Sequence, residues 1–352
     1  MLKNILLRSI IKQTLIWTLA FGFWTMMRNY GLELERTRID EPTFIQWVKI
    51  HLMLGLTAGV IFGSLSYLYE YVLFRKLKFG MLALLSSISY LAAIVLIAGI
   101  AAGLFTKVLD LDQDAEIFKG FILSKTGVLF ISYCFIVGFL VDIFKEINKK
   151  FGPGNLMKMI RGEFHEPKED ERIFMFLDLK SSTTYAEQLG HIKFSRLIQD
   201  CFSDLDVVFP FKAEIYQYVG DEVVLSWPLN LGLENSNCLR AFFAYTHRLT
   251  NRSGYYTKEY GFVPEFKAGI NLGKITVAEV GDIKREIAFH GDVLNTAARI
   301  QGQCNQLGEQ FLASETLITQ LKEENPYFSK EVGLVRLRGK IEEVKLFSIH
   351  EN

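Results

Sequence analysis

Long apolar runs in the first 150 residues constrain the fold of this chain more than any other sequence feature. Three of them, over 51–74, 79–105 and 118–143, carry few charges and reach the roughly 20 residues that a helix needs to cross a bilayer. A fourth run, at about 10–27, spans only if the ammonium group of Lys12 extends to the interface. The alternative for this first run is a signal peptide, although no small-residue cleavage site follows it.

The distribution of Lys and Arg predicts how these spans are oriented, because cytoplasmic loops carry the excess of positive charge. Loop 28–49 mixes both signs and loop 107–119 is acidic, so both suit the outer face. The basic residues lie before the first span, between the second and third, and after the last: Lys3, Arg8, Lys12, Arg75, Lys76, Lys78, Lys145, Lys149 and Lys150. The sequence therefore predicts a four-span membrane domain over 1–145, anchored in a lipid bilayer with both termini cytoplasmic. Without a ladder of intramembrane charges, a transporter or proton pump is disfavoured.

The amino-acid composition of the chain after about residue 150 differs from that of the membrane half. Composition also excludes several classes of protein. A length of 352 residues suggests two domains. The 39 Lys and Arg balance the 39 Asp and Glu, which disfavours nucleic acid as a partner. The cysteines form no CxxC pair, so neither a zinc site nor a disulfide framework is indicated; they are Cys134, Cys201, Cys238 and Cys304.

A polar junction over 146–171 separates the two halves. Gly152, Pro153 and Gly154 interrupt any helix that leaves the last span, and 155–160 has the pattern of a short amphipathic helix. A solvated linker and a signal-carrying element both remain open for this segment.

Residues 172–352 show the alternation of a mixed α+β domain. A short apolar strand over 173–178 precedes a helical pattern over 194–205, and the runs 213–218 and 222–227 form a predicted hairpin. Further predicted elements are a helix over 239–249, a strand pair over 265–271 and 274–280, a helix over 293–300, and a closing strand pair over 332–337 and 344–349. The order β-α-β-β-α-β favours a ferredoxin-like α+β sandwich. The predicted fold class is thus a membrane α-helical N-terminal half plus an α+β ferredoxin-like domain.

The first chemical motif in this domain is FLDLKSST. Asp178 ends a strand, and backbone N–H groups at the start of the next helix can face a phosphate beside it. The candidate phosphate-binding residues are Lys180, Ser181, Ser182 and Thr183. Taken alone, the motif is more typical of helix capping.

The second motif, YVGDEVV, presents Asp221 at the tip of the hairpin, with Gly220 before it. Alone it is ordinary turn sequence. A carboxylate at a strand end and another at a neighbouring hairpin tip, however, can hold a pair of Mg²⁺ or Mn²⁺ ions, as phosphoryl-transfer chemistry requires.

The third motif, HGDVLNTAARI, places Asn295 and Arg299 four residues apart on one helix face. An amide and a guanidinium at that spacing can reach one phosphoryl centre. The alternative is a surface salt bridge.

Together the three motifs resemble the class III nucleotidyl cyclases, the adenylyl and guanylyl cyclases, over roughly 172–350. The resemblance implies that Asp178, Asp221 and the backbone carbonyl of Leu179 hold two Mg²⁺ or Mn²⁺ ions. It implies that Asn295 orients the ribose and that Arg299 stabilises charge on the α-phosphoryl group. The substrate would be a nucleoside triphosphate, whose 3′-hydroxyl attacks its own α-phosphate.

The resemblance also implies a homodimer, because the family builds each site from two catalytic domains. Arg338 stands where the family usually has a phosphate-binding Lys, and base recognition falls on Gln217 and Ala288, which differ from the usual residues. We expect an adenylate cyclase. A guanylate cyclase and a catalytically silent signalling module are the alternatives; a diguanylate cyclase is disfavoured, because its doubled glycine is missing and it has no need of Asn295 and Arg299.

Overall fold

The computed structural model describes residues 2–29, 44–73, 79–108, 124–152, 155–321, 327–337 and 343–351. The chain divides into two compact units, Met1–Glu146 and Ile147–Asn352. The helices of the first part are α1 (Leu2–Asn29), α2 (Phe44–Tyr67), which continues as a π-helix (Leu68–Leu73), α3 (Phe79–Val108) and α4 (Lys125–Phe151).

Two stretches among the described residues are long and apolar enough to cross a membrane by length and composition. They are Val48–Tyr67 in α2 and Gly127–Lys145 in α4; α3 contributes a shorter apolar stretch, Ile88–Ile100. Helices therefore occur in all four regions where spans are predicted, and two of them meet this criterion. The four-span topology itself stays a prediction.

Helices α1 and α2 pack closely because one face of α2 carries glycine at every fourth position. A side chain at Gly55, Gly59 or Gly63 would collide with α1, for example with Thr14 opposite Gly59. Small residues at this spacing let helix backbones approach, as in membrane helix pairs. Trp17 of α1 stacks on Phe62 of α2, with ring centroids 4.6 Å apart.

The second unit surrounds one mixed sheet. Its helices are α5 (Asn155–Ile160), α6 (Ser182–Ser203), α7 (Leu229–Leu233), α8 (Asn237–Asn251), α9 (Ser253–Tyr260), α10 (Asp292–Leu307) and α11 (Glu315–Ile318). Its strands are β1 (Lys168–Leu179), β2 (Glu214–Val219), β3 (Glu222–Pro228), β4 (Phe266–Val280), β5 (Glu286–His290), β6 (Phe311–Ser314), β7 (Tyr327–Val335) and β8 (Val344–Glu351). Among the described residues the sheet order is β2-β3-β1-β4-β6-β8-β7, with β5 paired to β4. The predicted β-α-β-β-α-β order is present in its first part.

Strand β1 lies inside the sheet and is buried on both faces. Met175 and Leu177 belong to the large core beneath the helices, whereas Phe174 belongs to a second cluster on the opposite face with Val224 and Ile275. Successive side chains of a strand point to opposite faces, so one apolar run can serve two cores. This double burial fixes the register of β1 and hence the position of Asp178 at its end.

The prediction of a strand pair over 265–271 and 274–280 is wrong. Residues Phe266–Val280 form one continuous strand, and Gly273 pairs with Arg172 of β1 instead of making a turn. A side chain at Gly273 would lie 2.8 Å from Val293, so this glycine makes room for α10. The hairpin partner of β4 is β5, which the sequence pattern did not indicate.

Candidate active site

The two predicted metal carboxylates lie at neighbouring strand ends. Asp178, near the end of β1, is paired across the sheet with Glu222, the first residue of β3. Asp221 directly precedes Glu222 in the β2–β3 turn, where Gly220 has a φ of 62°. That left-handed conformation suits glycine and lets the turn close tightly. Antiparallel pairing of β1 and β3 therefore brings both motifs to one edge.

The site concentrates negative charge. Burial raises the pKa of Asp178, Lys267 and Gln301 oppose that shift, and repulsion from Asp221 adds to it. Burial also raises the pKa of Glu222 to about 7, and repulsion from Asp178 and Asp221 contributes. A divalent cation relieves such mutual repulsion, so the carboxylates at this edge are suited to one.

Replacing Glu222 by Gln is expected to raise the melting temperature of the metal-free chain at pH 8. An acid whose pKa is higher in the folded state than its ordinary value of 4.5 destabilises the fold when it is charged. The gain should be full above pH 7 and disappear below about pH 4.5. Thermal unfolding followed by circular dichroism in EDTA checks this, with Glu187→Gln, an exposed residue of α6, as the control. An equal gain at pH 8 and pH 4 would contradict the assignment.

Two neutral or positive groups that the motif analysis missed contact Asp178. Lys267 Nζ of β4 and Gln301 Nε2 of α10 each lie 3.0 Å from Asp178 Oδ2. The Lys267 side chain is 13% exposed and Gln301 is 7% exposed. Both donors act on one carboxylate oxygen, and among the described residues Oδ1 accepts no hydrogen bond.

Gly269 of β4 allows α10 to lie close to the sheet edge that carries Asp178. A side chain at Gly269 of β4 would meet the backbone nitrogen of Gln301 at 2.1 Å and the carbonyl oxygen of Ala297 at 2.6 Å. The absence of a Cβ thus allows the helix backbone to rest directly on the sheet. A strand glycine is the sequence signal that could have indicated this approach.

The predicted phosphate-binding turn has an unusual backbone. Ser181 has a φ of 59°, a left-handed conformation that is uncommon outside glycine, and its side chain makes no capping hydrogen bond. The capping alternative is therefore not realised at this residue. Ser182 is half-buried and Thr183 is exposed at the start of α6. The Lys180 ammonium lies 3.1 Å from a Glu265 carboxylate oxygen, in an exposed ion pair. Arg338 lies outside the described residues.

Asn295 and Arg299 lie on the side of α10 that faces away from the core. The buried face of this helix comprises Val293, Thr296, Ala297, Ile300, Gln301 and Cys304. Asn295 is exposed and Arg299 is half-buried. Neither side chain forms a hydrogen bond or ion pair with another residue that the structure describes, so the salt-bridge alternative is not realised within the described part of the chain.

Gln217 lies in β2 and Ala288 lies in β5, and a hydrogen bond joins these two strands. The Phe289 backbone N–H donates to the Tyr216 hydroxyl at 3.3 Å, which joins β5 to β2. Gln217 is exposed and lines a cavity of about 300 Å³ together with Ile287 and Phe289. Ala288 is half-buried between these residues of β5. The structure thus brings together the strands that carry the two candidate base-reading positions.

The oxygen donors at this edge fit Mg²⁺ or Mn²⁺. Within the described residues, no group of three His, Cys, Asp or Glu side chains is placed to hold an ion by itself. Mg²⁺ usually binds through one or two carboxylates and completes its shell with water and substrate phosphates. Asp178 and Asp221 supply such carboxylates, and the Leu179 carbonyl belongs to the same strand end.

The mixed sheet with helices, together with the family match given next, places this protein in the class of nucleotidyl cyclases. A comparison with protein families matches residues 165–351 to the adenylate and guanylate cyclase catalytic domain. The match covers more than half of the chain. The chain belongs to this family, and the predicted family is confirmed.

Known relatives extend this comparison. The chain is similar to adenylate cyclase 2 of Rhizobium meliloti (strain 1021), with 27% identity over 267 residues that cover 76% of this chain and 72% of that protein. Adenylate cyclase 1 of the same organism is 25% identical over 182 residues, covering 50% of this chain and 27% of that protein. Among solved structures, a bacterial light-regulated adenylyl cyclase is similar in fold, with a TM-score of 0.54 and 16% identity over 64% of this chain and 66% of that one.

Proposed function

We propose that this chain is a membrane-anchored adenylate cyclase that converts ATP to 3′,5′-cyclic AMP and pyrophosphate at sites shared by two chains. The observation that carries the proposal is that Asp178 pairs across the sheet with Glu222, the residue after Asp221, so that both aspartates lie at one sheet edge where burial and repulsion favour a bound cation. The relatives named as adenylate cyclases support ATP as the substrate.

The reaction forms a bond between the 3′-oxygen of the ribose and the α-phosphorus. The bond between that phosphorus and the oxygen bridging to the β-phosphate breaks, the 3′-hydroxyl loses its proton, and pyrophosphate leaves. Two divalent cations, when bound, lower the pKa of the hydroxyl and neutralise the phosphates. Asp178, Asp221 and the Leu179 carbonyl would hold them.

The remaining groups act by position and charge. The Arg299 guanidinium stabilises negative charge that develops on the α-phosphoryl oxygens. The Asn295 amide orients the ribose so that its 3′-oxygen stands in line with the leaving group. The helix start at Ser181, Ser182 and Thr183 offers backbone N–H groups to the phosphates. Lys180 and Arg338 add positive charge there.

A homodimer is proposed because Asn295 and Arg299 face away from the core of their own chain and bond to none of its described residues. Asn295 and Arg299 lie on the outer side of α10, whereas Gln301 of the same helix contacts Asp178. A second chain, placed by two-fold symmetry, would receive Asn295 and Arg299 beside its own carboxylates. Two equal sites would result.

The direct test of this function is an assay of the full-length chain in detergent or lipid nanodiscs. ATP and GTP are supplied separately with Mn²⁺, and the products are separated by chromatography. Cyclic AMP as the main product supports the proposal. Cyclic GMP formed from GTP in excess of cyclic AMP would identify a guanylate cyclase, and no cyclic product from either nucleotide would favour the silent module.

Base selection is expected to be modest, because the amide of Gln217 and the methyl group of Ala288 offer few directional contacts. The Gln217 amide can pair with adenine or, differently, with guanine. The double substitution Gln217→Lys and Ala288→Asp should therefore raise the preference for ATP by about 1–3 kcal/mol. Comparing kcat/KM for ATP and GTP measures this change.

Gln320→Lys, which makes the same Gln-to-Lys exchange at an exposed position of the second unit, serves as the control for the introduced lysine. Strong ATP selectivity in the unaltered chain that the double substitution leaves untouched would mean that other residues read the base.

Anchoring is proposed through four spans with the catalytic domain in the cytoplasm. The apolar helices α2 and α4 support this, as do the polar contacts made between helices. The Lys145 ammonium lies 2.9 Å from Ser66 Oγ, and the Gln13 amide nitrogen lies 3.5 Å from the same oxygen. Polar groups in membrane helices usually pair inside the bundle in this way.

Reporter fusions test the proposed topology. Fusions after Arg75 and at Asn352 are expected to report a cytoplasmic position, because Lys and Arg are concentrated in the cytoplasmic loops. A fusion after Asp114 is expected to report an extracytoplasmic position. Alkaline phosphatase and fluorescent-protein reporters at each position give opposite readings and check one another. A cytoplasmic reading after Asp114 would contradict four spans.

A further inference from the structure

Gln301 is a buried amide whose side chain reaches from α10 to the carboxylate of Asp178. Its Nε2 lies 3.0 Å from Asp178 Oδ2, and the residue is 7% exposed. The contact joins residues 123 positions apart in the chain. Gln301 also stands two residues after Arg299, on the opposite side of the same helix. No function described above uses this amide.

The surroundings of Gln301 hold it in place. The missing side chain of Gly269 lets the Gln301 backbone rest on β4. One turn further along the helix, Cys304 Sγ donates to the Ala268 carbonyl oxygen at 3.3 Å. The helix backbone is thereby fixed on the sheet on both sides of Gln301, so its amide approaches Asp178 from a rigid support.

We propose that Gln301 is a positioning residue that orients the Asp178 carboxylate for divalent-cation binding. The Gln301 amide and the Lys267 ammonium both donate to Asp178 Oδ2, so Oδ1 is the carboxylate oxygen that is left to bind a cation. Groups that hydrogen-bond a metal ligand set its orientation, and their loss usually weakens metal binding by about 10-fold to 100-fold. The inference rests on the proposed two-cation function, but its first test measures cation binding without turnover.

Within a dimer, Gln301 would serve a different site from Asn295 and Arg299 of the same helix. Arg299 and Asn295 would serve the site of the other chain, whereas Gln301 acts on Asp178 of its own chain. A substitution at Gln301 should therefore affect the site that contains its own Asp178. A merely structural role, in which Gln301 holds α10 on the sheet, would instead affect both sites alike.

The first experiment measures Mn²⁺ binding to the full-length chain by electron paramagnetic resonance, in the presence of 3′-deoxy-ATP. This nucleotide lacks the attacking hydroxyl and cannot cyclise. Gln301→Met, which keeps the length of the side chain but removes the donor, is expected to raise the Kd for Mn²⁺ by about 10-fold or more. Gln306→Met, at an exposed position of the same helix, is expected to leave it unchanged.

A second variant guards against misfolding. Gln301→Asn keeps an amide but is one methylene too short for the 3.0 Å contact, and the same rise in Kd is expected. Circular dichroism confirms that each variant is folded. A Kd for Mn²⁺ within about twofold of the unaltered chain, in a folded variant, would overturn the proposal.

The second experiment separates positioning from structure by using mixed dimers. In a mixture of Asp178→Asn and Arg299→Ala chains, the working site takes its carboxylates from the Arg299→Ala chain. Gln301→Met in that chain is expected to raise the half-saturating Mn²⁺ concentration with little change in the KM for ATP. The same substitution in the Asp178→Asn chain is expected to leave both unchanged.

The two experiments distinguish this proposal from the function on which it rests. Equal effects of Gln301→Met in either chain would overturn positioning and indicate a structural role for the amide. If the unaltered chain forms no cyclic nucleotide, the proposed activity fails, and the Mn²⁺ titration still decides whether Gln301 serves the Asp178 site.

Discussion

Asp178→Asn and Asp221→Asn are each expected to lower cyclisation by about 1,000-fold or more, because each removes a ligand of ions that supply several kcal/mol of transition-state stabilisation. The fold should persist. Burial raises the pKa of Asp178, and repulsion from Asp221 adds to the cost of its charge, so a neutral amide relieves an unfavourable interaction. Loss of activity and retained or increased stability should therefore occur together.

Turnover at saturating Mn²⁺ and thermal unfolding in EDTA measure the two effects. Asp282→Asn, an exposed residue in the turn between β4 and β5, is the matched control and should change neither. Near wild-type turnover in either site variant at saturating Mn²⁺ would show that the two-metal assignment is wrong. Lost activity with a lower melting temperature would instead indicate that the carboxylate supports the fold.

The parts of this site that were predicted from the sequence are those encoded locally. Asp178 ends a short apolar strand, and Asp221 lies between two β-rich runs, so both positions follow from the pattern of neighbouring residues. Their juxtaposition follows from one further fact, the antiparallel pairing of β1 and β3. Hairpin geometry and a buried central strand determine that pairing.

Contacts between distant segments were not predicted, because no local pattern encodes them. Lys267 and Gln301 reach Asp178 only because Gly269 lets α10 lie directly on β4. The same close packing explains the wrong prediction for β4, since Gly273 was interpreted as a turn and in fact accommodates Val293. In both cases glycine in a strand marks the approach of another element, not the end of the strand.

The turn at Ser181 shows a second way in which prediction from the sequence is limited. A serine after a strand and before a helix is most often an N-cap, and propensity alone favours that interpretation. The structure instead holds Ser181 in a left-handed conformation with no capping bond. Such strained residues are concentrated at functional sites, where the surrounding structure determines the backbone. Here the neighbouring bond from the Lys180 N–H to the Glu265 carbonyl, at 2.9 Å, fixes the turn to the end of the sheet.

A mixture of Asp178→Asn and Arg299→Ala chains is expected to recover activity that neither variant has alone. The outward position of Arg299, without a partner among the described residues of its own chain, is the reason to expect shared sites. With random assortment about half of the dimers are mixed, and each has one intact site of two, so about one quarter of the wild-type turnover per chain should return. Cyclic AMP formation in the co-expressed mixture measures it.

The matched control is a mixture of Asp178→Asn with Asp221→Asn. Both lesions then fall on the carboxylate half of the site, so neither arrangement of two chains restores a complete set of ligands, and no activity should return. Recovery in this control would mean that Asp178 and Asp221 serve different sites. No recovery with Arg299→Ala, once mixed dimers have been isolated with two different affinity tags, would show that each site is built within one chain and that Arg299 acts on its own Asp178.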